Sequence, residues 1–336
     1  MLMPELKSDA LPQDERQERV LLIKAKGGLG NRMLSAITGL VLADLNSRQA
    51  FVDWRDGMYV PPGENLYPHL FAADWMGDIA ELDAEADVAP AIWSGRLSEH
   101  PVDVIRREFP KQHRDPFLYR RLSIPFHGPD PAARAGVFWS YLPKLQRLAG
   151  RLAKDPRYAG KSLGTITSDY LARYFQPVPA VKARVASIFA DVSGPIIGVH
   201  IRFTDRKAPL PKILGELERL SKAMPEARVF LATDSEEAQN AVLSRFDNVI
   251  TIEKALSSSD KALHFSSDHF VDPVEEARNA LVDMMALAHC DYLIHSGYST
   301  FSVTAALLGR IPAENQFDVD RLNPKVRIKQ YFQARF

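Results

Sequence analysis

Short apolar runs rich in β-formers alternate along this chain with stretches of helical periodicity. Val20–Ala25 (VLLIKA) reads as a strand, a helix follows over about 31–47, and Ala50–Trp54 (AFVDW) reads as a second strand. Val88–Trp93 and Gly136–Ser140 are shorter strand candidates. Residues 145–189 read mainly as helices, broken by Pro156 and by Pro177 and Pro179. Beyond them lie four further strand candidates: Pro195–Arg202, Ala227–Asp234, Asn248–Ile252 and Asp291–His295. Helical patterns over 211–224, 235–245, 275–289 and 300–310 separate and follow these strands. Continuous apolar strands alternating with helices indicate a parallel sheet covered on both faces. The reading is α/β, with two Rossmann-type lobes meeting in the proline-broken region 141–194. It divides the chain into a loose, polar extension (1–18), a first lobe (19–170) and a second lobe (171–336).

Ligands in such sheets sit at the carboxyl ends of the strands, so the residues just after each strand come next. After the first strand comes Lys26-Gly27-Gly28-Leu29-Gly30-Asn31-Arg32-Met33. Glycines let backbone approach a ligand, and a helix N-terminus offers free N–H groups to an anion. The dinucleotide pattern fails here, because its third glycine position holds Met33. Asp53 nevertheless stands where a ribose-binding acid would stand. A tight turn with no ligand role is the plain alternative.

After PIIGVHIR come Phe203, Thr204, Asp205, Arg206 and Lys207. His200 and Arg202 leave the same face of their strand, and a guanidinium there can bind a diphosphate bidentately. A solvated charged turn is the competing reading. Asp234 and Ser235 follow the next strand and suit a helix N-cap. Ser296-Gly297-Tyr298-Ser299-Thr300-Phe301-Ser302 carries four small hydroxylic residues at a helix start, more than a cap needs. Asp283 sits among Leu281, Val282, Met284, Met285 and Leu287. A carboxylate there needs a partner if buried. Guanine, with its paired N1–H and N2–H₂ donors, is one; an exposed helix face is the alternative.

Composition narrows the function classes. The 336 residues are 46% hydrophobic and 25% charged, with 42 basic and 42 acidic side chains. This balance argues against a nucleic-acid-coating or polybasic membrane protein. No run approaches the roughly 18 apolar residues of a transmembrane helix, and the acidic N-terminus lacks the features of a signal peptide. The single cysteine, Cys290, rules out an intramolecular disulfide and fits a reducing compartment. A cytoplasmic protein is expected.

Taken together, these residues resemble the GDP-fucose-dependent fucosyltransferases, most of all the bacterial nodulation (NodZ-type) α1,6-fucosyltransferases. The resemblance is carried by GGLGNR (27–32), FVDWRDGMY (51–59), GVHIRFTDRK (198–207), FLATDS (230–235) and DYLIHSGYSTFSV (291–303). It implies a GT-B-like fold with the active site between the lobes. It further implies a GDP-sugar donor, a glycan or oligosaccharide acceptor, and transfer with inversion and without metal. Peripheral membrane contact would follow only from a lipid-linked acceptor.

Carried over, Arg202 holds the β-phosphate, His200 lies near guanine, and Asp283 reads the guanine edge. Ser299, Thr300, Phe301 and Ser302 form the phosphate segment. Asp205 and Arg206 lie by the reacting sugar, and Asn31 faces donor and acceptor. Gly28, Gly30 and Asp234 complete the expected donor site. Two departures stand out. Phe203 replaces a second arginine of the animal core enzymes, and their glutamate base has no counterpart near Leu210. Asp205 is therefore the first base candidate, with Asp53, Asp56 and Glu64 behind it. Other readings are a transferase for another GDP-sugar, a non-catalytic GDP-sugar-binding protein and a nicotinamide-dependent oxidoreductase.

Overall fold

The computed structural model describes residues 19–112, 115, 117–203, 207–254, 256–257, 272–324 and 326–328. Two all-parallel sheets organise them. The first has β1 (Val20–Lys24), β2 (Gln49–Asp53), β3 (Val88–Ala89) and β4 (Ala135–Trp139) in the order β2-β1-β4-β3. The second has β5 (Ile196–Ile201), β6 (Arg228–Thr233), β7 (Val249–Ile250), β8 (Tyr292–His295) and β9 (Gln316–Asp318), ordered β7-β6-β5-β8-β9. Each order reverses direction beside its first strand, between β1 and β4 and between β5 and β8. These are the switch points where open α/β sheets hold ligands.

The main helices are α1 (Leu29–Leu45), α2 (Leu163–Tyr174), α3 (Pro179–Ile188), α4 (Leu210–Ala223), α5 (Glu236–Leu243), α6 (Pro273–His289) and α7 (Thr300–Leu308). Strand β5 shows why the second lobe is layered as it is. Ile197, Val199 and Ile201 face one core with Ile213, Leu217 and Leu220 of α4 and Val242 of α5. Ile196 joins the opposite core, and Gly198 points the same way, where a β-carbon would lie 3.0 Å from Cys290 Sγ. This period of two places His200 on the α6 side. That core runs without interruption from Ala277, Leu281 and Leu287 of α6 to Leu40 of α1 and Ile23 of β1. The lobes thus share one apolar core.

The second lobe's expected strands and helices form, with no end shifted by more than two residues. Strand β9 was not expected: QFD is too short to show a period. Helix α2 runs across position 170/171, where the lobes were divided, and packs on both α1 and α7. Helix α3 packs on α6. Among the described residues no helix is long and apolar enough to cross a membrane.

Candidate active site

Helices α1 and α7 start at the carboxyl ends of β1 and β8 and meet end to end across the lobes. A β-carbon on Gly30 would lie 2.6 Å from Phe301 N and from the Thr300 carbonyl group. The close approach needs glycine at position 30 and brings two helix N-termini, each with unpaired N–H groups and partial positive charge, to one cleft. Neither helix has a side-chain hydrogen bond at its cap.

A cavity of about 180 Å³ opens there. The first lobe contributes Gly28, Leu29, Arg32, Tyr59, Leu66 and Leu70. The second contributes His200, Arg202, Ala232–Asp234, Lys254, Phe301 and the α6 residues Glu276, Ala277, Asn279, Ala280 and Asp283. On α6 the polar members recur at 276, 279 and 283, which is one helix face.

The walls hold buried polar atoms with nothing to bond. Asp283 is 3% exposed. Its Oδ2 accepts from Lys254 Nζ, while Oδ1 has no partner. Burial pushes the carboxyl above its ordinary range, and Lys254 draws it only part of the way back. His200 stacks on Phe301 at 5.1 Å between ring centroids, 19° from parallel. Burial, then the charges of His295, Arg202 and Lys254, hold its pKa down to about 3. His200 is therefore neutral at physiological pH, and its Nδ1 is unpartnered. Arg32 Nη1, on a lining residue, and Asn31 Oδ1 and Ser299 Oγ, at the two helix starts, are buried and unpartnered as well. Desolvated groups of this kind cost about 1–3 kcal/mol each when left unsatisfied, so their clustering marks a ligand site.

Two of the four small hydroxyls at 296–302, those of Ser296 and Ser302, bond within the protein. Ser302 Oγ donates to the carbonyls of Ser296 and Ser299 and meets His295 Nδ1 at 3.1 Å. Ser296 Oγ donates to Asp320 at 2.5 Å. Only Phe301 of 299–302 lines the cavity. Gly30 serves the helix junction and Gly28 the cavity wall. The expected Asp-Ser cap is Ser235 alone, accepting from Ala238 N at 3.4 Å. Asp234 instead accepts from Phe203 N at 2.8 Å and lines the cavity.

Three lesser base candidates are held in ion pairs. Asp53 is buried between Lys24 Nζ (2.6 Å) and the Arg55 guanidinium (3.1 Å). Burial alone would raise its pKa, but those two cations outweigh burial and hold it below the ordinary range. That pairing also removes the acid a nicotinamide-nucleotide reading needs. Asp56 pairs with Arg32, and the partly exposed Glu64 pairs with His69. Asp205 and Arg206 lie outside the described residues. Among those described, no group of three or more metal-ligating side chains gathers.

Sequence reasoning missed Arg32, Lys254, Glu276 and Asn279 as site residues. The spacing 276/279/283 was a usable signal for two of them. Arg32 stood inside a quoted motif, hidden by attention to its glycines. Lys254 follows a two-residue edge strand and carries no pattern.

Residues 168–330 match the family model described as Nodulation protein Z (NodZ). Nodulation protein Z of Sinorhizobium fredii (strain NBRC 101917 / NGR234) is 23% identical over 337 residues, spanning 90% of this chain and 94% of that protein. The crystal structure of fucosyltransferase NodZ from Bradyrhizobium is 23% identical, with TM-score 0.61 over 86% of this chain and 93% of that one. A NodZ alpha-1,6-fucosyltransferase soaked with GDP-fucose is 22% identical, with TM-score 0.60 over 86% and 92%. The chain is thus similar to NodZ-type fucosyltransferases and shares their two-lobed, GT-B-like fold.

Proposed function

We propose that this protein is a glycosyltransferase that moves fucose from GDP-fucose to a glycan hydroxyl, with inversion and without a metal ion. One observation carries the reading: the cavity joins a free carboxylate oxygen beside a lysine to an arginine and two helix N-termini. Asp283 Oδ1 is an acceptor and Lys254 Nζ a donor, held side by side. Guanine offers the complementary edge, N1–H and N2–H₂ donors next to the O6 acceptor. His200, neutral and stacked on Phe301, adds an apolar ring face at the same end.

Arg202 and the starts of α1 and α7 would take the diphosphate. In the transfer the fucosyl C1–O bond breaks, its electron pair passing to the β-phosphate oxygen. The acceptor oxygen bonds to C1 from the opposite face and loses its proton to a base. Positive groups fixed where the leaving charge develops do what a divalent cation does elsewhere. Asp205 is the base assigned by sequence, and Glu276, at the first-lobe side of the cavity, is the second carboxylate to test. The acceptor would enter past the first-lobe loops 57–70 and 94–130. A cytoplasmic location belongs to the same proposal, supported by a chain whose single cysteine, Cys290, is buried.

Thermal unfolding with GDP, GDP-fucose, UDP and NADH, each with EDTA, tests the reading. A ligand at 100 times its Kd adds about 2.7 kcal/mol. Stabilisation by GDP and GDP-fucose alone, kept in EDTA, is the expected result. Stabilisation by NADH alone, or by none of the four, would overturn it. Release of GDP from GDP-fucose only when a glycan acceptor is added would separate an enzyme from a binding protein.

A further inference from the structure

Arg32 is a fully buried guanidinium with one prong left open. Its Nε donates to the Gly27 carbonyl at 2.7 Å, and Nη2 pairs with Asp56. Its planes lie beside the Trp54 and Tyr59 rings, with centroids 5.8 and 5.9 Å away. These contacts fix the side chain without using Nη1, which is buried and unpartnered, on a residue that lines the cavity. The side chain is 2% exposed. An arginine is rarely buried with a donor idle, because guanidinium cannot shed its charge.

The position gives that donor a purpose. Arg32 lies in the first turn of α1, whose N-terminus abuts that of α7. Arg202 lines the same cavity from the other lobe. The residue next to Arg202 along the chain, Phe203, carries no charge. We infer that Arg32 is a second diphosphate-binding arginine, which grips the donor's β-phosphate through Nη1 from the lobe opposite Arg202. The inference rests on the donor reading above and adds to it that both lobes hold the leaving group. Donor binding then draws the two lobes onto one anion, and bond cleavage deposits charge between two guanidinium groups.

The test compares GDP with GMP, which lacks the β-phosphate. Calorimetry on the full chain gives both dissociation constants without turnover. Arg32→Ala would strand the Asp56 carboxylate and could unfold the lobe, so the chosen variant is Arg32→Gln/Asp56→Asn, which removes both charges together. Wild type is expected to prefer GDP over GMP. The double variant should lose about tenfold to a hundredfold of that preference, the range of one charge-assisted hydrogen bond. Its GMP affinity should stay within about threefold of wild type. Arg32→Lys, which keeps the charge beside Asp56 but not the fork, should lose a similar share. An unchanged GDP-to-GMP ratio in both variants overturns the inference while leaving the donor reading intact. Wild type that binds neither nucleotide overturns the donor reading itself.

Discussion

Gly30 of the first lobe lies against the backbone nitrogen of Phe301 in the second, and a β-carbon at position 30 would stand 2.6 Å from it. No side chain mediates this contact, so neither helix start can yield by changing a rotamer. The junction sets the distance between the lobes at the cleft. Gly30→Ala should therefore lower stability by about 1–3 kcal/mol, as overpacking does, and weaken GDP binding with it. Denaturant midpoints and GDP titration of the variant check both effects. A stable variant with wild-type GDP affinity would show that the junction does not set the site.

The Asp283–Lys254 pair predicts base specificity. Asp283→Asn removes the charge and replaces one acceptor oxygen with a donor. GDP affinity should fall by at least about tenfold, the equivalent of 1.4 kcal/mol. Affinity for inorganic diphosphate should be unaffected, since phosphate contacts lie elsewhere. Competition binding measures both. An equal loss for the two ligands would place Asp283 in a general structural role.

Arg202→Ala should reduce turnover of GDP-fucose by about 10²–10³, the usual effect of removing a fixed donor from developing charge. Steady-state kinetics with a saturating acceptor measure it. A change confined to KM would place Arg202 in ground-state binding only.

His200 makes folding sensitive to acid. Buried beneath Phe301 and close to His295, Arg202 and Lys254, it holds a pKa of about 3, against about 6.5 in an unfolded chain. Between these values the unfolded state binds the proton and the folded state does not. Stability contributed by the neutral ring is thus complete above about pH 6.5 and falls as pH drops, by up to roughly 1.4 kcal/mol per pH unit. His100, half-buried near Asp56 and Arg32 and held by that burial to a pKa of about 4, adds in the same direction. Urea midpoints of wild type and His200→Gln across pH 4–8 test this, and the variant should show the shallower slope below pH 6.5. Parallel curves would mean that the ring is protonated in the folded protein.

The acceptor's proton distinguishes two carboxylates. Asp205→Asn is expected to lower kcat by at least about 10²-fold with little change in GDP affinity, which is the pattern of a lost base. Glu276→Gln is the comparison. If Glu276→Gln gives the large loss and Asp205→Asn keeps near-normal turnover, the base lies on α6.

The sequence carried the architecture because its strands are fully buried. PIIGVHIR and ARVFLATD are continuous apolar runs, and a parallel sheet between helical layers demands such runs. It also pointed to the cavity, since ligands gather at strand carboxyl ends and His200, Arg202, Asp234 and Phe301, which line it, all follow or close a strand. It could not tell which hydroxyls of 296–302 face a ligand: Ser302 bonds to its own turn, and only the packing of α7 on its neighbours shows this. Nor could it separate Asp53, bound between Lys24 and Arg55, from Asp283, whose Oδ1 stays open. Both are acids among apolar neighbours, and what divides them is which cations reach them from distant segments. The pairing of Arg32 likewise comes from the fold. Its helix, the Asp56 loop and the second lobe converge only in three dimensions, and a donor is left idle only where three segments leave room beside it. Periodicity is a local property that the chain records directly. The pairing of buried charges depends on contacts between residues far apart in sequence, and tertiary structure alone decides it.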